Sequence, residues 1–221
     1  DIEPFRAGQF TKLGLDIDGE IVGRPYSIVS APDVPFLEFY FSTVPEGPLS
    51  PRLSALKAGD SIRVAPKPNG FLVLDEVPPS IHLWLVSTGT GLGPFLSILN
   101  TPEPWQRFQR VVLVHAARTA DELTYRRAIA RIAEAEPKRF TYVPFLSRES
   151  ADYALAGRIP QAIADGRLEA RAGLGFDAAL AHVMLCGNPA MVADATAALA
   201  ARGFRKHKRK EPGQISMETY W

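Results

Sequence analysis

The sequence predicts a two-domain β plus α/β protein, with an antiparallel β-barrel over residues 1–77 and a doubly wound, mainly parallel sheet over residues 78–221. Three observations predict it. Short segments of alternating apolar and polar residues, punctuated by turn residues, fill the first third of the chain. From Ile81 onwards, near-continuous apolar runs of strand length alternate with helix-period segments. The two patterns meet at residues 75–80, where Val77-Pro78-Pro79 reads as a short linker. The chain has 221 residues, 46% of them apolar and 22% charged, and a net charge of +1, which fits an ordinary soluble globular protein with a sizeable core.

In the first part, residues 10–15, 24–30, 37–44, 61–65 and 71–74 read as strands. Asp18-Gly19, Ala31-Pro32-Asp33 and Pro68-Asn69-Gly70 supply the turn chemistry between them. Ser50 is placed to cap a short helix with Pro51 at its first helical position, and the free amides of such a helix start suit a phosphate. In the second part, 81–87 is a strand buried on both faces. A Gly-rich turn follows, then a helix marked by Phe95, Leu96, Ile98 and Leu99. Strands 111–117, 140–146, 183–186 and 214–220 alternate with helices 122–135, 160–165 and 190–201. Residues 168–181 carry no assignment.

No apolar run reaches a membrane span, no signal peptide is visible, and the single cysteine, Cys186, excludes an internal disulfide framework and favours a reducing compartment. The chain begins at Asp1 rather than a methionine, so a further N-terminal piece, any targeting segment included, is expected before it. The four histidines lack metal-ligand spacing and no catalytic triad is recognisable, so neither a metal site nor hydrolase chemistry is expected. Residues 1–75 hold 7 Lys/Arg against 10 Asp/Glu and the remainder 18 against 14, which directs anionic ligands to the second half.

Thr88-Gly89-Thr90-Gly91-Leu92-Gly93-Pro94 lies between a buried strand and a helix, where an open α/β sheet takes a dinucleotide pyrophosphate. It departs from a strict G-x-G-x-x-G, since Pro94 stands at the third glycine. The carboxyl ends of later strands carry His115-Ala116-Ala117-Arg118, Ser147-Arg148 and Cys186-Gly187-Asn188-Pro189, all able to face one crevice. Arg118, Arg148 and Arg158, with Ser147, could surround a 2′-phosphate; taken singly, each arginine equally fits a surface pair with Glu122 or Glu149. No acidic residue suited to a free ribose 2′-hydroxyl follows the first βα unit, which favours NADP over NAD. Cys186, at a strand end, fits a small core hydrophobe as well as a nicotinamide pocket. Arg24-Pro25-Tyr26-Ser27 sets a cation, an aromatic face and a hydroxyl on one extended segment, and by itself also fits an exposed Arg beside a half-buried Tyr. The basic run 205–210 lacks interleaved aromatics, so an acidic protein partner fits it better than nucleic acid.

Taken in order, Arg-x-Tyr-Ser, Gly-Pro-Leu-Ser-Pro-Arg-Leu at 47–53, Thr-Gly-Thr-Gly at 88–91, Val-His-Ala-Ala-Arg at 114–118, Ser147-Arg148, Met-Leu-Cys-Gly-Asn-Pro at 184–189 and the terminal Glu-x-Tyr-Trp resemble the bacterial ferredoxin/flavodoxin–NADP⁺ reductases, in the branch ending in Tyr-Trp. The resemblance spans nearly the whole chain. It implies a Greek-key FAD-binding β-barrel followed by a Rossmann-like NADP-binding domain whose C-terminal residues return to the flavin. The family has further N-terminal residues that complete the first barrel strands. The implied reaction passes a hydride from NADPH to flavin N5 and then single electrons to an acidic ferredoxin or flavodoxin. A cytoplasmic monomer without metal, nucleic-acid or membrane partners is expected. A related NAD(P)H-dependent flavin or iron-sulfur protein reductase is the alternative, and a non-catalytic basic binding module a remote one.

By the same resemblance, Arg24 contacts the FAD phosphates, Tyr26 lies along the flavin and Ser27 near its N5, with Pro25 in place of a small residue. Tyr40, Phe41, Ser42 and Thr43, with the Pro48-Leu49-Ser50 turn, cradle the rest of FAD, and Thr90 sits between flavin and nicotinamide. Ala117, Arg118, Ser147, Arg148 and Arg158 hold the 2′-phosphate side of NADP, while Asn188 and Pro189 line its path. Tyr220 covers the second flavin face, Trp221 stacks on the adenine, and Ser27, Cys186 and Glu218 form the polar set around the reacting atoms.

Overall fold

The first regular element is a hairpin of β1 (Phe10–Ile17) and β2 (Glu20–Ser27), in register from Phe10↔Ser27 to Ile17↔Glu20. Asp18 and Gly19 turn it with φ of 53° and 85°, the two left-handed residues that a two-residue hairpin matching strand twist requires. That tight turn moves the second strand to 20–27, upstream of the expected 24–30. β3 (Arg63–Val64) adds to β1, so the first sheet has the order β2-β1-β3. The computed structural model describes residues 2–219.

Two expected strands join no sheet. Residues 37–44 make only the Ile28↔Phe39 bridge, being flanked by Pro35 and Pro45, which cannot donate to a ladder. Residues 71–74 turn inwards to a 3₁₀ turn, Leu74–Glu76, and bury Leu72, Val73 and Leu74 in the core. The short helix α1 (Ser50–Ser54) begins one residue early: Leu49 is its N-cap, and Ser50 Oγ instead accepts the Val44 amide at 2.8 Å.

The second sheet is wholly parallel, in the order β7-β6-β5-β4-β8-β9, from β4 (His82–Thr88), β5 (Arg110–Ala117), β6 (Phe140–Leu146), β7 (Leu155–Ala156), β8 (Ala181–Gly187) and β9 (Ile215–Thr219). The first of these strands is flanked by the second on one side and by β8 on the other, so the order reverses between β4 and β8, the crevice where such sheets bind ligands. Period-two alternation builds a core on each face. Trp84, Val86, Val112 and Val114 pack against α5 (Ile159–Ala164), α6 (Arg167–Ala172) and α7 (Pro189–Ala200). Leu83, Leu85, Val111 and Leu113 pack against α2 (Leu92–Leu99) and α4 (Arg126–Ala135). The Trp84 ring stacks on Phe176 at 4.1 Å, which gives the unassigned stretch 168–181 a structural role.

Helix α4 is shorter than the expected 122–135. Its start is preceded by a 3₁₀ turn, Ala120–Glu122, and by Tyr125 in a left-handed conformation, φ 57°. Helix α3 (Glu103–Arg107) and strand β7 were not expected, being only five and two residues long. From α3, Arg107 donates to the carbonyls of Leu74, at 2.6 Å, and Val77. Ser97 Oγ donates to Ser30 O at 2.8 Å, and Val29, Leu72, Leu74 and Val77 share the core of α2. The Val77-Pro78-Pro79 stretch is therefore pinned rather than a free tether.

Candidate active site

Among the described residues, a cavity of about 390 Å³ opens between the hairpin and the carboxyl edge of the parallel sheet. Its first wall is Arg24, Pro25, Tyr26 and Ser27 at the end of β2. Arg24 is exposed, with Nη1 donating to Gly23 O at 2.8 Å, while Ser27 is buried. The Tyr26 ring meets Phe41 edge-on at 5.7 Å, and burial, opposed by the Arg24 charge, raises its hydroxyl pKa. Arg24, Tyr26 and Ser27 all line the cavity although the pleat alternates, because β2 ends at Ser27.

The second wall is Tyr40, Phe41 and Ser42, then Pro48, Leu49 and Ser50. The hydrogen bond from the Val44 amide to Ser50 Oγ closes this loop, and Gly47 fits inside it because a Cβ there would stand 3.1 Å from Val44 O. Thr43 is exposed and lies off the lining. Phe10, Val44, Gly47 and Thr219 also line the cavity, unexpected from the sequence because nothing in their chemistry marks them.

The α/β half supplies Thr90 and, from β9, Glu218. Burial pushes the Glu218 carboxyl up to about 7, and among the described residues it has no hydrogen bond or ion pair. Cys186 is its register partner on β8, but the thiol is fully buried in the apolar core beside Met184 and is not part of the lining. Tyr220 and Trp221 lie outside the described residues.

The switch-point crevice is close-packed backbone. Gly91 has Cys186 O where a Cβ would stand, 2.3 Å away, and Gly187 likewise has Thr88 Oγ1 at 2.3 Å. The Asn188 amide donates to Thr88 Oγ1 at 2.9 Å, and the Asn188 side chain caps α7 through Ala190 and Met191, with Pro189 at the helix start. Beneath it, His115 faces Gly89 O at 3.2 Å and is fully buried, which lowers its pKa to about 4 and keeps it neutral.

Along the same edge, Arg118, Ser147, Arg148 and Arg158 are exposed and Ala117 is buried beneath them. The Ser147 and Arg148 amides bond to the carbonyls of Ala117 and Arg118, at 3.1 and 2.9 Å. Glu122 is occupied by the Arg118 amide and Glu149 by the Ala120 amide, at 2.9 and 2.7 Å. Among the described residues, no carboxylate pairs with the Arg118, Arg148 or Arg158 guanidinium, a donor set that fits a dianionic phosphate. The cavity, lined by Tyr26, Tyr40 and Phe41 and by the exposed Arg24, likewise fits a flavin dinucleotide. Among the described residues there is no cluster of three metal-ligating side chains and no helix long and apolar enough to cross a membrane.

Residues 85–197 match the family model described as the oxidoreductase NAD-binding domain. The chain is 50% identical over 219 residues to the flavodoxin/ferredoxin–NADP reductases of Shigella flexneri and Escherichia coli (strain K12), covering 99% of this chain and 88% of each of those proteins. Its structure is similar, with a TM-score of 0.93, to a ferredoxin NADP⁺ reductase from Neisseria gonorrhoeae solved with bound FAD and NADP. That protein is 34% identical, with 98% of this chain and 87% of that one covered.

Proposed function

We propose how the cavity and the arginine rim work from one premise: this chain belongs to the flavodoxin/ferredoxin–NADP reductase family. It is an FAD-dependent reductase that transfers electrons between NADPH and a ferredoxin or flavodoxin. When bound, FAD supplies the conversion between a two-electron hydride donor and one-electron carriers.

The chain's own residues bind, orient and shield. Tyr26 and the Tyr40–Ser42 wall hold the flavin, with Arg24 at its phosphates and the Pro48-Leu49-Ser50 turn along the remainder. Ser27 and Glu218 face the reacting edge, and Glu218, poised near neutrality, can hold or yield a proton there. The absence of side chains at Gly91 and Gly187 lets the carboxyl ends of β4 and β8 pack closely enough to form the floor on which the pyrophosphate lies, and Thr90 separates the two ligands. Arg118, Arg148 and Arg158, with Ser147, take the 2′-phosphate, and Asn188 and Pro189 shape the path between. The functional division follows residues 77 and 78. Tyr220 and Trp221 keep, from the family resemblance, the roles of ring and adenine covers.

For the carrier, the basic run supplies Arg205, Lys206 and Lys210, exposed and without ion pairs among the described residues, whereas Lys208 and Arg209 pair with Glu211 and Glu76. An acidic carrier steered to this face is the partner that fits. A cytoplasmic monomer is the expected form; the one cysteine, Cys186, is buried and joined in no disulfide, which fits a reducing compartment.

The observation that carries this reading is the cavity itself, whose lining draws on both halves of the chain and includes most of the residues expected at the flavin. A visible spectrum of the purified protein tests it. A flavin band that bleaches on adding NADPH is expected; a colourless protein, or a band indifferent to NADPH, would sink the reading.

A further inference from the structure

The two candidate sites, the flavin cavity and the arginine rim, are joined by a contact that the reaction has not yet used. Tyr125 Oη donates to Glu38 Oε1 at 2.7 Å, across 87 residues of sequence, and the Tyr125 ring meets Tyr40, on the cavity wall, edge-on at 5.5 Å. We infer that Tyr125 is a positioning residue, whose bond to Glu38 sets where the nucleotide-binding edge stands relative to the flavin.

Both ends of the bridge are anchored. On the nucleotide side, the segment from Arg118 to Tyr125 is short and internally bonded. The Arg118 amide donates to Glu122, the Leu123 amide to Ala120 O at 3.2 Å, and Leu123 is buried with Ala117 and Leu146. The Tyr125 carbonyl then accepts the Ile129 amide at 2.9 Å, tying it to α4. On the flavin side, Glu38 O accepts the Val29 amide at 2.8 Å and the Glu38 amide donates to Ser30 Oγ at 3.1 Å; Ser30 in turn takes the Ser97 hydroxyl on its carbonyl. Moving Tyr125 thus moves the stretch bearing Arg118, and moving Glu38 moves the wall bearing Tyr40.

The backbone supplies an independent sign. Tyr125 holds φ at 57°, a left-handed conformation that a bulky residue keeps only where its surroundings fix it, and such residues cluster at functional sites. Here the Glu38 bond and the Tyr40 contact do the fixing. A hydride passes only between rings held in a narrow geometry, so a small error at this joint reaches the rate even though Tyr125 lies outside the cavity lining.

The inference rests on the reading of the chain as an NADPH-dependent flavin reductase, and the test separates the two. Tyr125→Phe keeps the ring and removes the donor, Glu38→Ala removes the acceptor, and Glu38→Gln keeps an acceptor. Flavin reduction at saturating NADPH should slow about tenfold in Tyr125→Phe and Glu38→Ala. The amplitude of the flavin difference spectrum at saturating NADP⁺ should fall by about half or more in the same variants. The affinity for adenosine 2′,5′-bisphosphate, which reaches only the arginines, should stay within about twofold. Glu38→Gln should behave as the parent, and the double variant Tyr125→Phe/Glu38→Ala should be no slower than either single one. Parental rate and amplitude in Tyr125→Phe would overturn the inference. So would a matching loss of bisphosphate affinity, which would mean that the rim itself had collapsed. A parent protein without NADPH-responsive flavin absorbance would instead overturn the reading beneath it.

Discussion

Glu218 offers the sharpest test of the site's electrostatics. Burial at the cavity raises its carboxyl from 4.5 to about 7, and no cation among the described residues is paired with it. A shift of that size corresponds to about 3 kcal/mol, and since water reaches part of the side chain about 1–3 kcal/mol is expected. The direction follows from linkage. Below pH 4.5 both folded and unfolded chains hold the proton and Glu218 costs nothing. Between 4.5 and about 7 the unfolded chain releases it first, so this residue lowers stability progressively, and above 7 the penalty is constant. Glu218→Gln, neutral throughout, should match the parent in stability at acid pH and exceed it by about 1–3 kcal/mol at pH 8. Urea denaturation of both proteins across that range, followed by tryptophan fluorescence, reads the difference. An advantage independent of pH, or one that shrinks as pH rises, would refute the burial argument.

Arg148→Ala and Arg158→Ala should each weaken NADPH binding by about 1.5–3 kcal/mol, or roughly ten- to a hundredfold in KM, with little change for NADH; an unaltered coenzyme preference would contradict the phosphate assignment. Gly91→Ala should cost about 1–3 kcal/mol through the clash with Cys186 O, seen as a lower thermal midpoint, because the φ of Gly91 suits alanine and space alone forbids it. Arg107→Ala strands the Leu74 and Val77 carbonyls and should lower stability by about 2–4 kcal/mol in urea, whereas a surface arginine would barely register. Reversing Arg205, Lys206 and Lys210 to Glu should slow association with an acidic carrier at low ionic strength and flatten its salt dependence, measured by stopped-flow mixing.

The parallel sheet was legible because its strands are buried on both faces: 140–146 was placed to the residue, and 81–87 and 111–117 to within one. The antiparallel half was harder, since alternation in 37–44 and 71–74 is produced as well by cavity wall and core loop as by a ladder. Most of the residues that line the cavity were reachable through motif order alone. Thr43 and Cys186 were named with the site yet stand off its lining, one outside and one in the core, because a sequence gives a residue's neighbours in the chain and not the direction of its side chain. Tyr125 and Glu38 could not be paired at all from the sequence, as they belong to no shared motif and meet only when the two halves pack.

The pairing of β9 with β8 bears on how the molecule assembles. The first walls of the cavity come from residues 24–50, while Glu218 and Thr219 close it from the far end of the sequence. Contacts so distant along a chain are closed late, after the more local hairpin and βα units have formed. During synthesis the aromatic cleft would therefore exist before its acidic side does, exposing Tyr26 and Phe41 while the later strands are still being made. Capture of the flavin is then expected as a final event, and a folding intermediate arrested before β9 docks should be sticky rather than yellow.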